Sequence, residues 1–192
     1  MWNEDIDLLV DAARAGGGWA FGRLWEELSP TVAAYLRGRG VRDADDVTSE
    51  VFLAAFRGIA RFEGDGRAFR SWLFSIAHHK GVDAVRRGAS AREISVATVS
   101  DGRTTASAED GALESLERGE VSRLLGTLTT DQRDVLLLRI VGDLSLAETA
   151  AAIGKPVGAV KQLQHRALAR LRKEMSRGPI TQDPVQAIAW MR

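Results

Sequence analysis

Apolar residues recur every three or four positions along most of the chain, a spacing that predicts α-helices rather than β-strands. In the N-terminal half this spacing predicts five helices, over residues 6–14, 19–28, 31–39, 43–58 and about 69–87. A run of three glycines separates the first two helices. Pro30 suits the first turn of the third helix, where a helix leaves the backbone amide unpaired in any case. The pattern therefore predicts an all-α fold.

The composition changes at residues 88–112, which contain no aromatic residue and many small or polar ones. This composition predicts a flexible linker, because the segment offers too little apolar surface to pack into a core. We expect two small helical domains, residues 1–87 and residues 113–177, each within the usual size range of a domain. Residues 178–192 follow as a short tail that carries Ile188 and Trp190.

Two tetrapeptides after the linker have the spacing of a helix capping box. They are Thr129 with Gln132, and Ser145 with Glu148. In a capping box the first and the fourth side chains each bond the other residue's backbone amide, which defines the start of a helix. We therefore expect helices to begin directly after Thr129 and Ser145, in addition to a helix over residues 113–125.

The second capped helix is the start of a predicted helix-turn-helix. It spans about eight residues and leads through the turn Gly154–Pro156 to a longer helix over about 157–175. In this motif the second helix lies in the major groove of DNA. The outward side chains predicted near its start are Lys161, Gln162, His165 and Arg166, while Gly158 and Ala159 leave room for close approach. An ordinary helical hairpin with a solvated basic face is the alternative interpretation.

Charge is unevenly distributed, although the net charge of the chain is zero. The segment Lys155–Arg177 holds seven basic residues and one acidic residue, Glu174. A cluster of this kind is typical of a surface that binds phosphate groups, so the C-terminal end is the expected nucleic-acid surface.

Several classes of protein are disfavoured by what the chain lacks. It has no cysteine, which excludes disulfides and thiolate zinc sites. No apolar run approaches the roughly 20 residues of a membrane span. The first residues, MWNEDIDLLV, are acidic where a secretory signal is basic. We expect a cytoplasmic protein with no membrane span.

Three ordered motifs in the N-terminal half resemble region 2 of bacterial sigma-70 family sigma factors of the extracytoplasmic-function (ECF) type. They are DADDVTSEVFLAAFR at 43–57, FRSWLFSIA at 69–77 and DAVRR at 83–87. The C-terminal helix-turn-helix resembles region 4 of the same family. The resemblance covers about residues 5–175 and implies an alternative sigma factor, which directs RNA polymerase to promoters by recognising their −10 and −35 elements.

The resemblance implies roles for residues of the N-terminal domain. Residues that would dock on the β′ clamp helices of core RNA polymerase are Asp46, Ser49, Glu50, Phe52 and Phe56. Residues that would capture the unwound −10 strand are Arg61, Phe62, Arg67, Arg70, His78, His79, Lys80, Arg86 and Arg87. Aromatic rings that stack on bases, together with basic groups along the backbone, suit single-stranded DNA. We expect Phe69 and Trp72 to be at least half buried.

In the C-terminal domain the resemblance implies contacts to the −35 duplex. The residues concerned are Lys155, Gly158, Ala159, Lys161, Gln162, His165 and Arg166. Gln162 offers a bidentate hydrogen-bond partner for adenine. The partners implied are core RNA polymerase through its β′ and β subunits, promoter DNA and an anti-sigma factor. No cofactor and no metal are expected, and catalysis would belong to the polymerase.

Two other functions remain open at this point. A helix-turn-helix regulator that acts without polymerase would bind duplex DNA alone, as a dimer on a palindrome. A metal-dependent hydrolase would use His78, His79 and Asp83, because His79 and Asp83 lie four residues apart on one helix face. The sequence offers no further ligand of matching spacing and no nucleophile motif for such an enzyme.

Overall fold

A computed structural model describes residues 4–95 and 111–176, and within these ranges it contains helices and no strands. The α-helices are α1 (Glu4–Arg14), α2 (Gly18–Arg39), α3 (Ala44–Gly58), α4 (Gly66–Ser95), α5 (Gly111–Gly126), α6 (Thr130–Ile140), α7 (Leu146–Ile153) and α8 (Val157–Met175). We call α1–α4 the N-terminal module and α5–α8 the C-terminal module. The all-α, two-domain prediction is confirmed, whereas much of the predicted linker and the tail 178–192 lie outside the described residues.

The prediction of two separate helices on either side of Pro30 is wrong. Residues Gly18–Arg39 form one continuous helix, α2, with Pro30 inside it. Proline in a helix interior costs about 3 kcal/mol, because it lacks a hydrogen-bond donor and crowds the preceding turn. Buried residues continue at helical spacing through this point, from Leu28 to Val32 and Tyr35. Burial of this apolar stripe outweighs the local cost of the proline.

Helix α4 extends farther than the apolar spacing predicts, to Ser95 rather than to about Arg87. It lies against α3 at a close approach, where a β-carbon on Gly58 would meet the ring of Trp72 at 2.9 Å. A glycine at the end of α3 therefore lets the two helices pack around the indole. Between them a short 3-10 turn, Ile59–Arg61, leads into the loop before α4.

The C-terminal module follows the sequence prediction closely. Both capping boxes are present, at Thr129 with Gln132 and at Ser145 with Glu148. Gly154 ends α7 in the left-handed conformation, with φ +66°, which glycine adopts without steric cost.

The two modules pack against each other. Their buried apolar residues form one contiguous cluster that includes Leu36 and Phe74 of the N-terminal module and Leu137 and Leu171 of the C-terminal module. Contacts between the modules come mainly from α2 against α6 and from α4 against α7. In the described ranges we find no helix with the length and apolarity required to cross a membrane.

Candidate nucleic-acid interface

The helix-turn-helix is formed by α7, the turn at Gly154–Pro156 and α8, as predicted. Three buried residues, Val135 of α6, Ala150 of α7 and Val160 of α8, form a small core that fixes these helices relative to one another. Farther along α8, Ala167 and Leu171 are fully buried and hold the helix to the rest of its module. The opposite face of α8 is thereby turned to solvent.

The residues predicted to read duplex DNA lie on this outer face. Lys161, Gln162, His165 and Arg166 are all exposed, and so is Gly158. They share the N-terminal half of α8, which is the part of a recognition helix that reaches base edges in the major groove. The arrangement presents an ammonium group, a guanidinium group, an amide and an imidazole on one surface.

Two other residues predicted for this surface are partly covered. Ala159 is half-buried beside the exposed residues. Lys155 lies in the turn and forms an ion pair with Asp131 of α6, with 2.9 Å between Nζ and Oδ2. Phosphate binding by Lys155 would therefore require exchange of this partner.

Aromatic rings cluster where the loop before α4 meets the helix. The rings of Phe62 and Trp72 stack with their centroids 5.1 Å apart, and the ring of Phe69 packs edge-on against Phe62 at 5.7 Å. Phe69 is fully buried, while Phe62 and Trp72 are half-buried. The expected burial of Phe69 and Trp72 is confirmed, and Phe62 and Trp72 remain partly exposed.

A shallow groove of about 370 Å³ runs along α4 beyond this cluster. Its lining residues are Trp72, Ser75, Ile76, His79, Lys80 and Asp83. The imidazole Nδ1 of His79 lies 2.7 Å from the carbonyl oxygen of Ser75, which orients the exposed ring along the helix. Lys80 Nζ donates to Glu50 Oε2 of α3 at 3.1 Å. The groove is thus lined by the indole of Trp72, the imidazole of His79 and the ammonium group of Lys80.

The basic residues around this groove differ in their surroundings. Arg61, Arg86 and Arg87 are exposed. Arg67 is exposed as well, but its guanidinium pairs with Glu148 of α7, with 3.1 Å between Nε and Oε1. Burial opposes ionisation of Glu148, yet the hydrogen bonds from Arg67 and Ser145 lower the pKa of its carboxyl group overall.

Arg70 does not lie on the surface, contrary to the sequence prediction. It is 7% exposed and donates from its guanidinium to the carbonyl oxygens of Val141 and Gly142 in the C-terminal module. Its guanidinium carbon also lies 5.3 Å from the centre of the Phe74 ring. In this arrangement a DNA strand cannot reach Arg70, because the C-terminal module covers it.

The prediction that His78 contacts DNA is wrong for this structure. Its imidazole is buried, and its Nδ1 is hydrogen-bonded to the hydroxyl of Tyr35 over 3.1 Å. Burial lowers the pKa of His78 to about 4, so the ring is neutral at pH 7 and its 3.9 Å separation from Asp134 is not an ion pair. Burial, with a smaller contribution from Asp134, also raises the pKa of Tyr35, which keeps its hydroxyl protonated.

The predicted polymerase-docking residues divide into a surface group and a core residue. Asp46, Ser49 and Phe56 are exposed along α3, and Glu50 is half-exposed beside Lys80. Phe52 is only 2% exposed, so its predicted surface role is wrong.

Phe52 is buried because α2 covers it. Its ring packs edge-on against Trp25 at 4.7 Å and against Phe21 at 6.2 Å. Phe56 lies one turn later along α3. The ring of Phe21 packs edge-on against it, with the ring centroids 5.0 Å apart, and 54% of Phe56 remains exposed. Trp25 and Leu53 add exposed apolar surface beside it, which the sequence analysis did not identify.

Two residues that join the modules were also missed. Arg39 and Asp134 form a buried ion pair between α2 and α6. A signal for each is visible in the sequence, because Arg39 continues the buried positions Val32 and Leu36 at helical spacing, and Asp134 directly precedes an apolar run. A charge on an apolar helix face indicates a buried partner, but the sequence does not identify that partner.

The residues proposed for a metal-dependent hydrolase do not form a ligand set in the described part of the chain. His78 is turned to Tyr35, whereas His79 and Asp83 line the open groove on α4. Across residues 4–95 and 111–176, no group of three or more potential metal-ligating side chains is found.

Comparison with protein families matches both modules. The family described as "Sigma-70 region 2" matches residues 24–91, and the family described as "Sigma-70, region 4" matches residues 124–173. The first match contains α3 and most of α2 and α4, and the second contains the helix-turn-helix.

Individual relatives extend the match to nearly the whole chain. The ECF RNA polymerase sigma factor SigD of Mycobacterium tuberculosis is 38% identical over 183 residues, covering 91% of this chain and 86% of SigD. The solved structure of CnrH, a sigma factor of Cupriavidus metallidurans, in complex with the cytosolic domain of CnrY superposes with a TM-score of 0.68 at 30% identity. This match covers 90% of the present chain and 98% of the CnrH chain. The sigma factor RpoE of Bartonella quintana, solved with the anti-sigma factor NepR, shares the fold with a TM-score of 0.65 at 21% identity. That match covers 81% of this chain and 96% of RpoE.

Proposed function

The chain belongs to the ECF family of RNA polymerase sigma factors, and we propose that it binds core RNA polymerase and directs initiation at promoters with specific −10 and −35 elements. The observation that carries this proposal is that one chain presents two exposed surfaces of different chemistry. The outer face of α8 suits intact duplex DNA, whereas the aromatic and basic groove of α4 suits an unwound strand.

We assign −35 recognition to the exposed side chains of α8. Lys161 and Arg166 supply charge and guanine or phosphate contacts, Gln162 supplies an adenine partner, and His165 extends the same face. Gly158 and Ala159 allow the helix start to approach the DNA backbone. Lys155 joins this surface if its bond to Asp131 is exchanged for a phosphate.

We assign −10 recognition to α4 and the loop before it. Phe62, His79 and Lys80 lie beside or within the groove, and Arg61, Arg86 and Arg87 provide exposed positive charge around it. Arg67 and Arg70 can contribute only when the C-terminal module releases them.

Docking on the polymerase is assigned to the exposed face of α3. Asp46, Ser49 and Glu50 supply polar and acidic groups, and Phe56 supplies an adjacent apolar anchor. Acidic groups beside an exposed ring suit a basic and partly apolar partner helix, such as a clamp helix of the β′ subunit.

The remaining assignments follow from family membership. The chain acts as a specificity subunit in the cytoplasm and leaves catalysis, with its metal ions, to the polymerase. An anti-sigma factor that covers the same surfaces is an expected partner.

Association with core polymerase tests the proposal and separates it from a polymerase-independent regulator. The chain should co-elute with purified core enzyme, and the double charge reversal D46K/E50K should abolish co-elution while the helical circular dichroism spectrum stays unchanged. Exposed charges on a helix contribute about 0–1 kcal/mol to stability, so the loss should be confined to association.

The matched control is the double reversal D11K/E120K. It changes the net charge equally but alters exposed ion pairs with Arg14 and Arg123, which lie on α1 and α5. This control should co-elute like the wild type. A chain that never associates with core enzyme but protects a palindromic duplex as a dimer would establish the regulator instead.

A further inference from the structure

The first turn of α4 is capped by a side chain from another helix. The backbone amide of Gly66, the first residue of α4, donates to Oδ1 of Asp7 on α1 over 2.6 Å. The first amides of a helix have no acceptor within the helix, and their partial positive charge favours a carboxylate. Asp65 caps the same turn locally, because its Oδ1 accepts from the amide of Ala68 over 2.7 Å. Two carboxylates therefore fix the start of α4, and one of them lies 59 positions away in the sequence.

Gly66 packs against α1 with no room for a side chain. A β-carbon on Gly66 would meet Cγ2 of Ile6 at 2.6 Å and Oδ1 of Asp7 at 2.8 Å, distances too short for such atoms. Helix α1 is in turn held to the N-terminal module by Val10 and Ala13, which are buried. The loop that ends at Gly66 is therefore anchored to a helix that is itself fixed in the core.

The same loop begins at an aromatic ring beside the groove of α4. The ring of Phe62 stacks on Trp72, and Trp72 lines the groove. Only three residues, 63–65, separate Phe62 from Gly66. A displacement of Gly66 from α1 is therefore transmitted through a very short segment to the ring that extends the groove.

Asp7 is poorly suited to contact DNA itself. A carboxylate repels the phosphate groups of a strand, and Oδ1 of Asp7 is already bonded to Gly66. The loop, in contrast, carries a partly exposed ring. A loop held in one arrangement presents Phe62 in one position, whereas a loop that moves adapts to several bases. The anchor therefore affects discrimination between strands more than the affinity for strands in general.

We propose that Asp7 is a positioning residue for −10 recognition, which holds the loop 62–66 against α1 and thereby sets how strictly the groove discriminates between −10 sequences. Helix α1 lies outside residues 24–91, which match the region 2 family, and it becomes a determinant of promoter specificity without touching the promoter. This inference rests on the proposed function, which assigns the −10 strand to this groove.

Hydrogen exchange of the loop measures the anchor in the full chain. Asp7→Ala removes the acceptor of the Gly66 amide, so peptides that cover residues 62–68 should exchange at least tenfold faster while the helix content by circular dichroism stays unchanged. Asp7→Asn keeps an oxygen acceptor and should retain most of the protection. The matched control is Asp11→Ala, which removes an exposed carboxylate from the same helix, where it pairs with Arg14. It should exchange like the wild type.

Strand opening by the holoenzyme measures the specificity. The ratio of opening at a mapped promoter to opening at promoters with single −10 substitutions should fall at least threefold in Asp7→Ala, because a released loop accepts more sequences. Asp7→Asn should recover most of this ratio, and Asp11→Ala should match the wild type. Discrimination between −35 sequences should be unchanged in every variant. A general loss of stability would lower opening at all promoters equally and leave the ratio as it was.

Three results would overturn the proposal. Unchanged loop exchange in Asp7→Ala would show that Asp7 does not anchor the loop. Faster exchange with an unchanged −10 ratio would show that the anchor has no part in specificity. Equal loss of opening at every promoter, without rescue by Asp7→Asn, would reduce Asp7 to a contribution to stability. If the wild-type holoenzyme opens no promoter, the proposed function fails and the specificity role with it, while hydrogen exchange still decides the anchor.

Discussion

The guanidinium of Arg39 and the carboxylate of Asp134, 95 positions apart in the sequence, face each other in a buried site between α2 and α6. Removing one member of such a pair leaves an uncompensated buried charge, which costs about 3–5 kcal/mol, whereas replacing both by apolar residues is often neutral. An unpaired charge in this site would favour arrangements in which the interface opens and water reaches the charge.

A double-mutant cycle on this pair gives the first prediction. The chain contains no cysteine, so Gly22→Cys and Gly126→Cys provide one dye-labelling site in each module. Arg39→Met and Asp134→Leu should each lower energy transfer between dyes on the two modules, and R39M/D134L should restore it close to the wild-type value. Energy transfer on the four labelled chains supplies the measurement. Additive losses in the double variant would show that the apolar contacts between α2 and α6, rather than the ion pair, set the closed arrangement.

The second prediction concerns pH. His78 has a pKa of about 4 in the folded chain, against 6.5 when exposed, because burial disfavours the charged ring. Between these two values the unfolded state binds a proton that the folded state does not, so stability rises with pH and is lost as pH falls from 6.5 towards 4. The loss approaches about 1.4 kcal/mol per pH unit within the window.

Besides burial, the charged or titratable groups that act on His78 are Asp134, Arg39, His79 and Asp131, and Tyr35 is its hydrogen-bond partner. His78→Gln should therefore flatten the dependence of the unfolding free energy on pH between 6 and 4.5, as measured by urea denaturation. His165→Gln removes an exposed ring on α8 that is not among the groups acting on His78, and it should retain the wild-type slope. Parallel curves for His78→Gln and the wild type would contradict a neutral buried imidazole.

Phe52 and Phe56 lie one helical turn apart on α3, but their substitution should affect different properties. The first should lower stability, and the second should weaken association with core polymerase. Phe52→Ala removes a buried ring that packs against Trp25 and Phe21, and it should cost about 3–5 kcal/mol of unfolding free energy. Phe56→Ala removes an exposed ring, so it should change stability by less than about 1 kcal/mol but weaken association with core polymerase at least tenfold. Urea denaturation and co-elution, carried out on both variants, measure the two effects. Equal stability losses would show that the ring of Phe56 is also part of the core.

Substitutions on the two proposed DNA-binding surfaces should affect different stages of initiation, namely initial duplex binding and strand opening. Arg166→Ala should weaken the initial binding of holoenzyme to duplex promoter by about 1–3 kcal/mol if the side chain reads a base. His79→Ala should leave this step intact and reduce formation of the melted complex, because its groove receives a strand that is exposed only after unwinding. Arg123→Ala, an exposed residue of α5 outside both surfaces, is the control and should change neither step. Gel-shift assays and permanganate reactivity report the two stages. Loss of initial binding in His79→Ala would contradict the division.

The sequence predicts the C-terminal module more fully than the N-terminal one. Capping boxes, the left-handed Gly154 and the buried face of α8 are all local, because each depends on residues within a few positions of one another. The exposed face of α8 follows from the same periodicity. The helix-turn-helix can therefore be derived from sequence without knowledge of its surroundings.

Tertiary packing decides the features that sequence reasoning missed. Helix α2 continues through Pro30 because burial of its apolar face outweighs the tendency of proline to end a helix. Phe52 is buried because Trp25 of α2 packs against its ring. Arg70 and His78 were predicted to contact DNA from the family resemblance and their chemistry. Their burial depends on a neighbouring module and on Tyr35, which are distant in the sequence.

Permanganate reactivity of promoter thymines tests the central claim most directly, because it detects strand opening that depends on both the chain and the polymerase. A promoter located by transcription mapping with reconstituted holoenzyme should show reactive thymines in the −10 region when the chain and core enzyme are present together. Core enzyme alone and the isolated chain should show none. A chain that protects the promoter duplex by itself at nanomolar concentration, with no thymine reactivity after core enzyme is added, would contradict its assignment as a sigma factor.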